Sequence, residues 1–335
     1  MNVSRRALQT LGVTAGMAAG AAVAGYVGER AVLRSLRERP DPDADQLGAL
    51  EFDDALRLPT HDAGTAYVVR RGVGPPLLFS HGVTITSRVW VKQFRELPQA
   101  GVQVIAFDHR GHGESSLGSS GHSVANLAAD MRTILEGLDL RGAILVGHSM
   151  GGVAAQAFAL DYPEVLRERV AGLVLLSTLG KTSVSASRRL RCVAERVTGS
   201  LDLRRLMTRR DLGTVFARVG FGRQPLASHV ELNRQMLASC ERATAREATA
   251  ALLGLDLTAD LPSLDVPTLV IGGTADVITP AAESRRLAAL IPGARLELLD
   301  GAGHMIMLER TEVFHRLLLD FARHVGALPA TAGAA

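Results

Sequence analysis

The chain has 335 residues, 47% of them hydrophobic and 21% charged, with a formal net charge of +3. These proportions are ordinary for a globular protein and exclude a fibrous or disordered one. So small a net charge, with no nucleic-acid-binding motif, argues against a nucleic-acid partner. Aromatic residues are scarce at 4%, so the core must be built mostly from Leu, Val and Ala.

At the N-terminus, Ser4-Arg5-Arg6-Ala7-Leu8 precedes an uncharged run from Leu11 to Gly28, rich in Ala and Gly. This pattern resembles a twin-arginine export signal or a short signal anchor, and Ala22-Val23-Ala24 offers a small-residue cleavage site. Residues 1–40 are therefore expected to be a leader that exports the protein or anchors it in a membrane. The alternative is a cytoplasmic chain with an Ala-rich leader. Pro40 and the acidic stretch from Asp41 to Asp45 read as a linker.

Residues 48–71 suggest two strands entering a sheet in antiparallel fashion. Apolar runs then predict strands at Pro76–Ser80, Val102–Phe107, up to Val146, Ala171–Leu176, Pro267–Gly272 and Leu296–Leu299. Helical patterns lie between them, at Trp90–Leu97, Val124–Leu138, Val153–Tyr162, Ala281–Leu290 and Glu309–Val325. Strands alternating with helices indicate a mostly parallel sheet covered on both faces. From Leu179 to Leu264 the rhythm breaks. Leu190, Val193 and Val197 recur at helical spacing, as do Val230, Leu232, Met236 and Leu237. The expected organisation is an α/β core over 41–178 and 265–325, a helical cap over 179–264 and a disordered tail over 326–335. The first part of that cap is basic, with Lys181 and eight arginines between Arg188 and Arg210. It is a solvated face, a surface for anionic membranes or an attractor of acidic substrates.

The most informative stretch is Gly147-His148-Ser149-Met150-Gly151, set between an apolar strand and a run of helix formers. G-x-S-x-G in that context is a nucleophile elbow, and it needs nearly side-chain-free residues at Gly147 and Gly151. Such enzymes order their triad as serine, acid, histidine. Here Asp276 follows one later strand and His304 follows the next, at the strand ends where open α/β sheets place their ligand sites.

With His81-Gly82 and Trp90, the turn Asp108-His109-Arg110-Gly111-His112-Gly113-Glu114-Ser115, the elbow, Gly273-Thr274-Ala275-Asp276 and Gly301-Ala302-Gly303-His304, the chain resembles the serine-hydrolase branch of the α/β-hydrolase fold superfamily. The resemblance implies an eight-stranded-type sheet with helices on both faces and an inserted helical cap. It implies Ser149 as nucleophile, His304 as base and Asp276 as the group orienting that base, with the backbone N–H groups of Val83 and Met150 as the oxyanion hole. It further implies that the His81 ring orients the oxyanion loop beside Gly82. His148 is expected to point away from the reacting carbonyl, and Asp300 to end a strand rather than serve as the acid.

A serine at position 149 excludes relatives with a carboxylate nucleophile, such as haloalkane dehalogenases and epoxide hydrolases. The latter also use cap tyrosines, and Tyr26, Tyr67 and Tyr162 all lie outside the expected cap. No histidine or cysteine spacing suggests a metal ligand set, and no cofactor is expected. Cys192 and Cys240 read as free thiols that could pair on export. The elbow and the Asp108 turn are similar to those of monoacylglycerol-lipase-type enzymes, so the expected substrate is a small acyl ester or a lipid. The alternatives are a thioesterase, acyltransferase, perhydrolase or carbon–carbon hydrolase using the same triad, and a ligand receptor on the same fold. A membrane surface could meet the leader or the basic cap; the oligomeric state stays open.

Overall fold

The computed structural model describes residues 28–182 and 202–329. The leader up to residue 27, the first cap pattern from Leu190 to Val197, Cys192 and the last residues of the tail lie outside the described residues.

Eight strands form one sheet in the order β1-β2-β4-β3-β5-β6-β7-β8. They are β1 (Asp54–Pro59), β2 (Thr65–Arg71), β3 (Pro76–Ser80), β4 (Gln103–Phe107), β5 (Ala143–His148), β6 (Val170–Leu176), β7 (Thr268–Gly273) and β8 (Arg295–Leu299). The β1–β2 and β2–β4 pairings are antiparallel, and every pairing from β4 onward is parallel. Strand β5 lies at the centre and all its residues are buried, as a strand covered on both faces requires.

Alternation along each strand divides the core into two layers. On one face Leu77, Phe79, Ile144, Val146, Val174 and Leu176 pack against Trp90, Phe94 and Phe314 of the flanking helices. On the other, Leu78, Ile105, Leu145, Leu173, Leu175 and Val270 meet the helices Val124–Gly137, Met150–Asp161 and Ala281–Leu290. The second layer is lined with small residues. Ala154, Ala155, Ala157 and Ala159 let the helix after the elbow sit buried on nearly every side.

Between β6 and β7 the described chain forms the helices Leu203–Thr208, Arg210–Ala217, Ala227–Ser239 and Arg242–Leu252. Three differences from the sequence reading concern where order begins and ends. Residues 28–38 are helical, with Leu33 and Leu36 buried, so structure starts inside the stretch read as leader. The acidic stretch read as a linker is a set of anchors. Asp41 accepts hydrogen bonds from the Ser228 N–H (2.7 Å) and hydroxyl (2.9 Å), and buried Asp43 lies between Lys92 Nζ (2.6 Å) and His229 Nε2 (2.7 Å). At the other end, Gly326 (φ 74) closes the helix Thr311–His324: its N–H reaches the Arg323 carbonyl and the Ala327 N–H reaches the Ala322 carbonyl. This glycine-terminated cap orders the chain through buried Leu328, within the stretch read as a disordered tail.

Candidate active site

Ser149 sits between the end of β5 and the helix Met150–Asp161, with φ 53 and ψ −116. A side chain rarely adopts that backbone, and it persists only where surrounding bonds over-determine it. Here the Ser149 N–H donates to the Leu176 carbonyl (3.1 Å), and the Ser149 carbonyl accepts from Gly152 N–H (2.9 Å), Val153 N–H (3.1 Å) and the Thr178 hydroxyl (2.7 Å). The glycines are required by contact. A Cβ at Gly147 would stand 2.6 Å from the Gly152 Cα, and one at Gly151 would run into the Ser80 carbonyl. Met150 opens the helix, where backbone amides have no intrahelical acceptor.

Asp276 follows β7 and is 5% exposed. Its Oδ1 accepts from the Ile278 N–H (2.8 Å) and Thr279 N–H (2.9 Å), and its Oδ2 from the Thr279 hydroxyl (2.7 Å). The same Oδ2 lies 2.9 Å from His304 Nδ1. Burial on its own would raise the Asp276 carboxyl, but the hydrogen bond and charge of His304, together with Thr279, hold it below the usual carboxylate range. A carboxylate only accepts, so Nδ1 of His304 carries a hydrogen. Asp300, by contrast, is exposed and accepts from the Thr274 hydroxyl (2.9 Å), away from this pair.

The His304 loop is stitched to the inserted helices. The N–H groups of His304 and Met305 both donate to the Gly220 carbonyl (2.9 and 3.2 Å). Half-buried Glu309 accepts from Gly303 N–H (3.0 Å) with one oxygen and from Gly222 N–H (2.7 Å) with the other. Burial raises its carboxyl pKa.

His81 and Gly82 follow β3. His81 Nδ1 donates to the Gly82 carbonyl (2.7 Å) while Nε2 accepts from the His109 N–H (2.9 Å). His112 Nε2 accepts from the Thr84 N–H (3.2 Å), and its Nδ1 donates to the Arg110 carbonyl (3.0 Å). The loop carrying Val83 is thus held by two neutral imidazoles. Burial pushes His81 down to about 4, and burial with the neighbouring His81 pushes His112 down to about 3. Beneath them, Arg110 is clamped by Asp130 (2.7 Å to each oxygen) and Asp62 (2.9 Å), and all three are buried.

His148 is buried beside the nucleophile. It lines the same cavity as Ser149, its Nε2 donates to the His304 carbonyl (3.0 Å), and its ring lies 4.6 Å from the His304 ring. Gly82 packs closely on that ring. A Cβ on Gly82 would be 3.0 Å from His148 Nδ1 and 3.2 Å from the Ser149 Cβ.

Ser149, His304, Gly82 and Val83 meet at a cavity of ≈ 380 Å³ roofed by residues of the inserted helices, among them Phe216, Val219 and Leu237. The arrangement can hold an acyl group against a serine hydroxyl with an oriented imidazole beside it. Sequence reading missed Thr178, Thr279 and Glu309. Only Thr279 left a signal, as the Thr three residues after Asp276 that closes an Asx turn. Among the described residues no group of three or more His, Cys, Asp or Glu is arranged to hold a metal ion.

The model of the alpha/beta hydrolase family matches residues 77–317. A non-heme chloroperoxidase of Streptomyces lividans is 33% identical over 264 residues, 75% of this chain and 92% of that protein. The fold of an esterase from Exiguobacterium antarcticum superposes with a TM-score of 0.71 at 22% identity, over 81% of this chain and 100% of that one. A thermophilic esterase from Thermogutta terrifontis does so with a TM-score of 0.66 at 27% identity, over 81% and 99%. The span of the family match and the level of identity place this chain in the alpha/beta hydrolase family, and it is a hydrolase of that fold.

Proposed function

We propose that the protein cleaves carboxylic esters through a Ser149–His304–Asp276 triad and an acyl-enzyme. One observation carries this reading: an Asp276–His304 pair at 2.9 Å opens on the same cavity as a serine held on a strained strand-to-helix turn. A neutral hydroxyl is a poor nucleophile, so a base must take its proton as it attacks. His304 Nε2 is that base, since Asp276 fixes the hydrogen on Nδ1 and stabilises the imidazolium that forms. The oxyanion meets the N–H groups of Val83 and Met150. Loss of one such donor costs about 3 kcal/mol of transition-state stabilisation. His304 then protonates the leaving alcohol, and water repeats the cycle on the acyl-enzyme to release the acid.

The test is hydrolysis of nitrophenyl esters from short to long acyl chains, with Ser149→Ala in parallel. Activity that falls by on the order of 10⁴-fold or more in the variant supports the triad reading. Equal rates in both proteins would overturn it. The chain-length optimum separates an esterase from a lipase.

Similarity to non-heme chloroperoxidases favours a second reading, in which hydrogen peroxide replaces water in deacylation and releases a peracid. Adding peroxide and a carboxylic acid to the same assay distinguishes them: peracid outpacing ester hydrolysis selects the second.

A further inference from the structure

Five non-glycine residues adopt a positive φ among the described residues, and Thr84 (φ 63) is the one with a β-branched side chain. Branching at Cβ makes that backbone an outlier, and it persists only where its surroundings over-determine it. Thr84 lines the Ser149 cavity and follows Val83, whose N–H belongs to the oxyanion hole in the reading above. The strain therefore sits one peptide away from the donor that the chemistry needs.

Two successive peptides of this loop are pinned from opposite ends. The Gly82–Val83 peptide is held by its carbonyl, which accepts from His81 Nδ1 (2.7 Å). In a trans peptide the N–H points away from the C=O, so that bond aims the Val83 N–H. The Val83–Thr84 peptide is held by its N–H, which donates to His112 Nε2 (3.2 Å). His112 accepts there because its Nδ1 donates to the Arg110 carbonyl (3.0 Å), which leaves the lone pair of the neutral ring on Nε2.

Turning the Val83–Thr84 peptide over would carry Thr84 to the negative φ that a threonine prefers. It would also set the Val83 carbonyl against the His112 lone pair, acceptor against acceptor. His112 thus opposes the rotation that would relieve the strain. Because ψ of Val83 turns with that peptide, the same rotation would displace the residue that supplies the oxyanion donor.

We propose that His112 is a positioning residue for the oxyanion hole, its Nε2 holding Thr84 in the left-handed region and keeping the Val83 N–H aimed at the reacting carbonyl. The proposal rests on the ester-hydrolase reading above and adds a residue to its machinery.

The experiment is a double-mutant cycle read in kcat and KM for nitrophenyl esters. His112→Phe keeps an aromatic ring and removes the acceptor. Thr84→Gly removes the strain, because glycine enters the left-handed region freely. In the native background His112→Phe should lower kcat on the order of 10- to 100-fold. KM should stay within about twofold, since an oxyanion donor acts in the transition state. In the Thr84→Gly background the same substitution should cost no more than about threefold. His112→Gln, whose amide oxygen can reach the Thr84 N–H, should recover most of the loss. His112→Asn stops short of that N–H and should resemble His112→Phe, which repeats the test with a polar side chain. Native kcat in both His112→Phe and His112→Asn overturns the proposal. So does an equal loss in the two backgrounds, which would make the ring core packing and nothing more.

Hydrogen exchange at the Thr84 amide provides a readout without turnover. It should quicken at least about tenfold in His112→Phe while the helix Met150–Asp161 keeps its protection. Unchanged exchange at Thr84 overturns the proposal even where kcat falls. Faster exchange in a protein that hydrolyses no ester would sink the hydrolase reading and the catalytic role of His112 with it, leaving only its hold on the loop.

Discussion

At the scale of single residues, Ser149 sets stability against chemistry. Its left-handed backbone (φ 53, ψ −116) costs about 1–3 kcal/mol in a side-chain-bearing residue and almost nothing in glycine. Glycine also loses about 0.5–1 kcal/mol through the freedom of its unfolded chain, so strain relief outweighs entropy. Ser149→Gly should therefore be more stable than Ser149→Ala by roughly 1 kcal/mol, with both variants inactive in the proposed mechanism. Denaturant midpoints at unchanged slope provide the comparison. If alanine proves the more stable, the turn is not strained. The neighbouring His148 makes the same point about context. Its ring is buried and braced on His304, so a residue that motif reasoning assigns away from the chemistry is part of the wall around it.

Among elements, the segment from residue 28 to about residue 50 ties the inserted helices to the core. Arg39 donates to the Pro225 carbonyl (2.8 Å), Asp41 holds Ser228 at the start of the helix Ala227–Ser239, and Asp43 joins His229 on that helix to Lys92 on the core helix Val91–Glu96. The same inserted helix carries Asn233 and Leu237 into the cavity wall. Asp43→Asn leaves the Lys92 charge nearly buried without its partner, and breaking such a pair from one side costs about 3–5 kcal/mol. Urea unfolding should register that loss. Hydrogen exchange in Ala227–Ser239 should quicken more than in the helix Met150–Asp161, because only the former is held by the segment. Equal protection in both helices would remove the strap from the account.

For the whole molecule, buried neutral histidines link stability to pH. In the unfolded chain His81 and His112 titrate at their ordinary 6.5, whereas in the folded protein burial holds them at about 4 and about 3. As the pH drops from 6.5 toward 4 the unfolded chain takes up protons that the folded rings do not, so stability falls in that window and returns as the pH rises. His81 alone accounts for on the order of 3 kcal/mol by about pH 4. Unfolding midpoints at about pH 7 and about pH 5 should therefore differ, and His112→Gln should flatten the slope. A midpoint that does not move would mean that the rings protonate freely in the folded state.

The α/β class, the parallel centre of the sheet, the elbow and the order Ser149, Asp276, His304 were all legible in the chain, because each rests on local chemistry. Strand and helix periods decide which side chains face a core, and Gly147 is demanded by contacts with Gly151 and Gly152 in the same turn as Ser149. Positions set by long-range packing were not legible. Glu309 bridges Gly303 and Gly222, residues 81 apart in the chain, and no local pattern announces such a bond. The Asp43 anchors looked like a linker because an acidic, Pro-containing stretch reads as solvated until Lys92 and His229 are brought to it. What the sequence determined by itself was therefore the framework and the candidate reactive groups. Only the tertiary structure decided what surrounds them: a cavity wall contributed by the inserted helices and a histidine braced against His304. Those surroundings come from segments far apart in the chain, and the free energy that brings them together belongs to the packed whole.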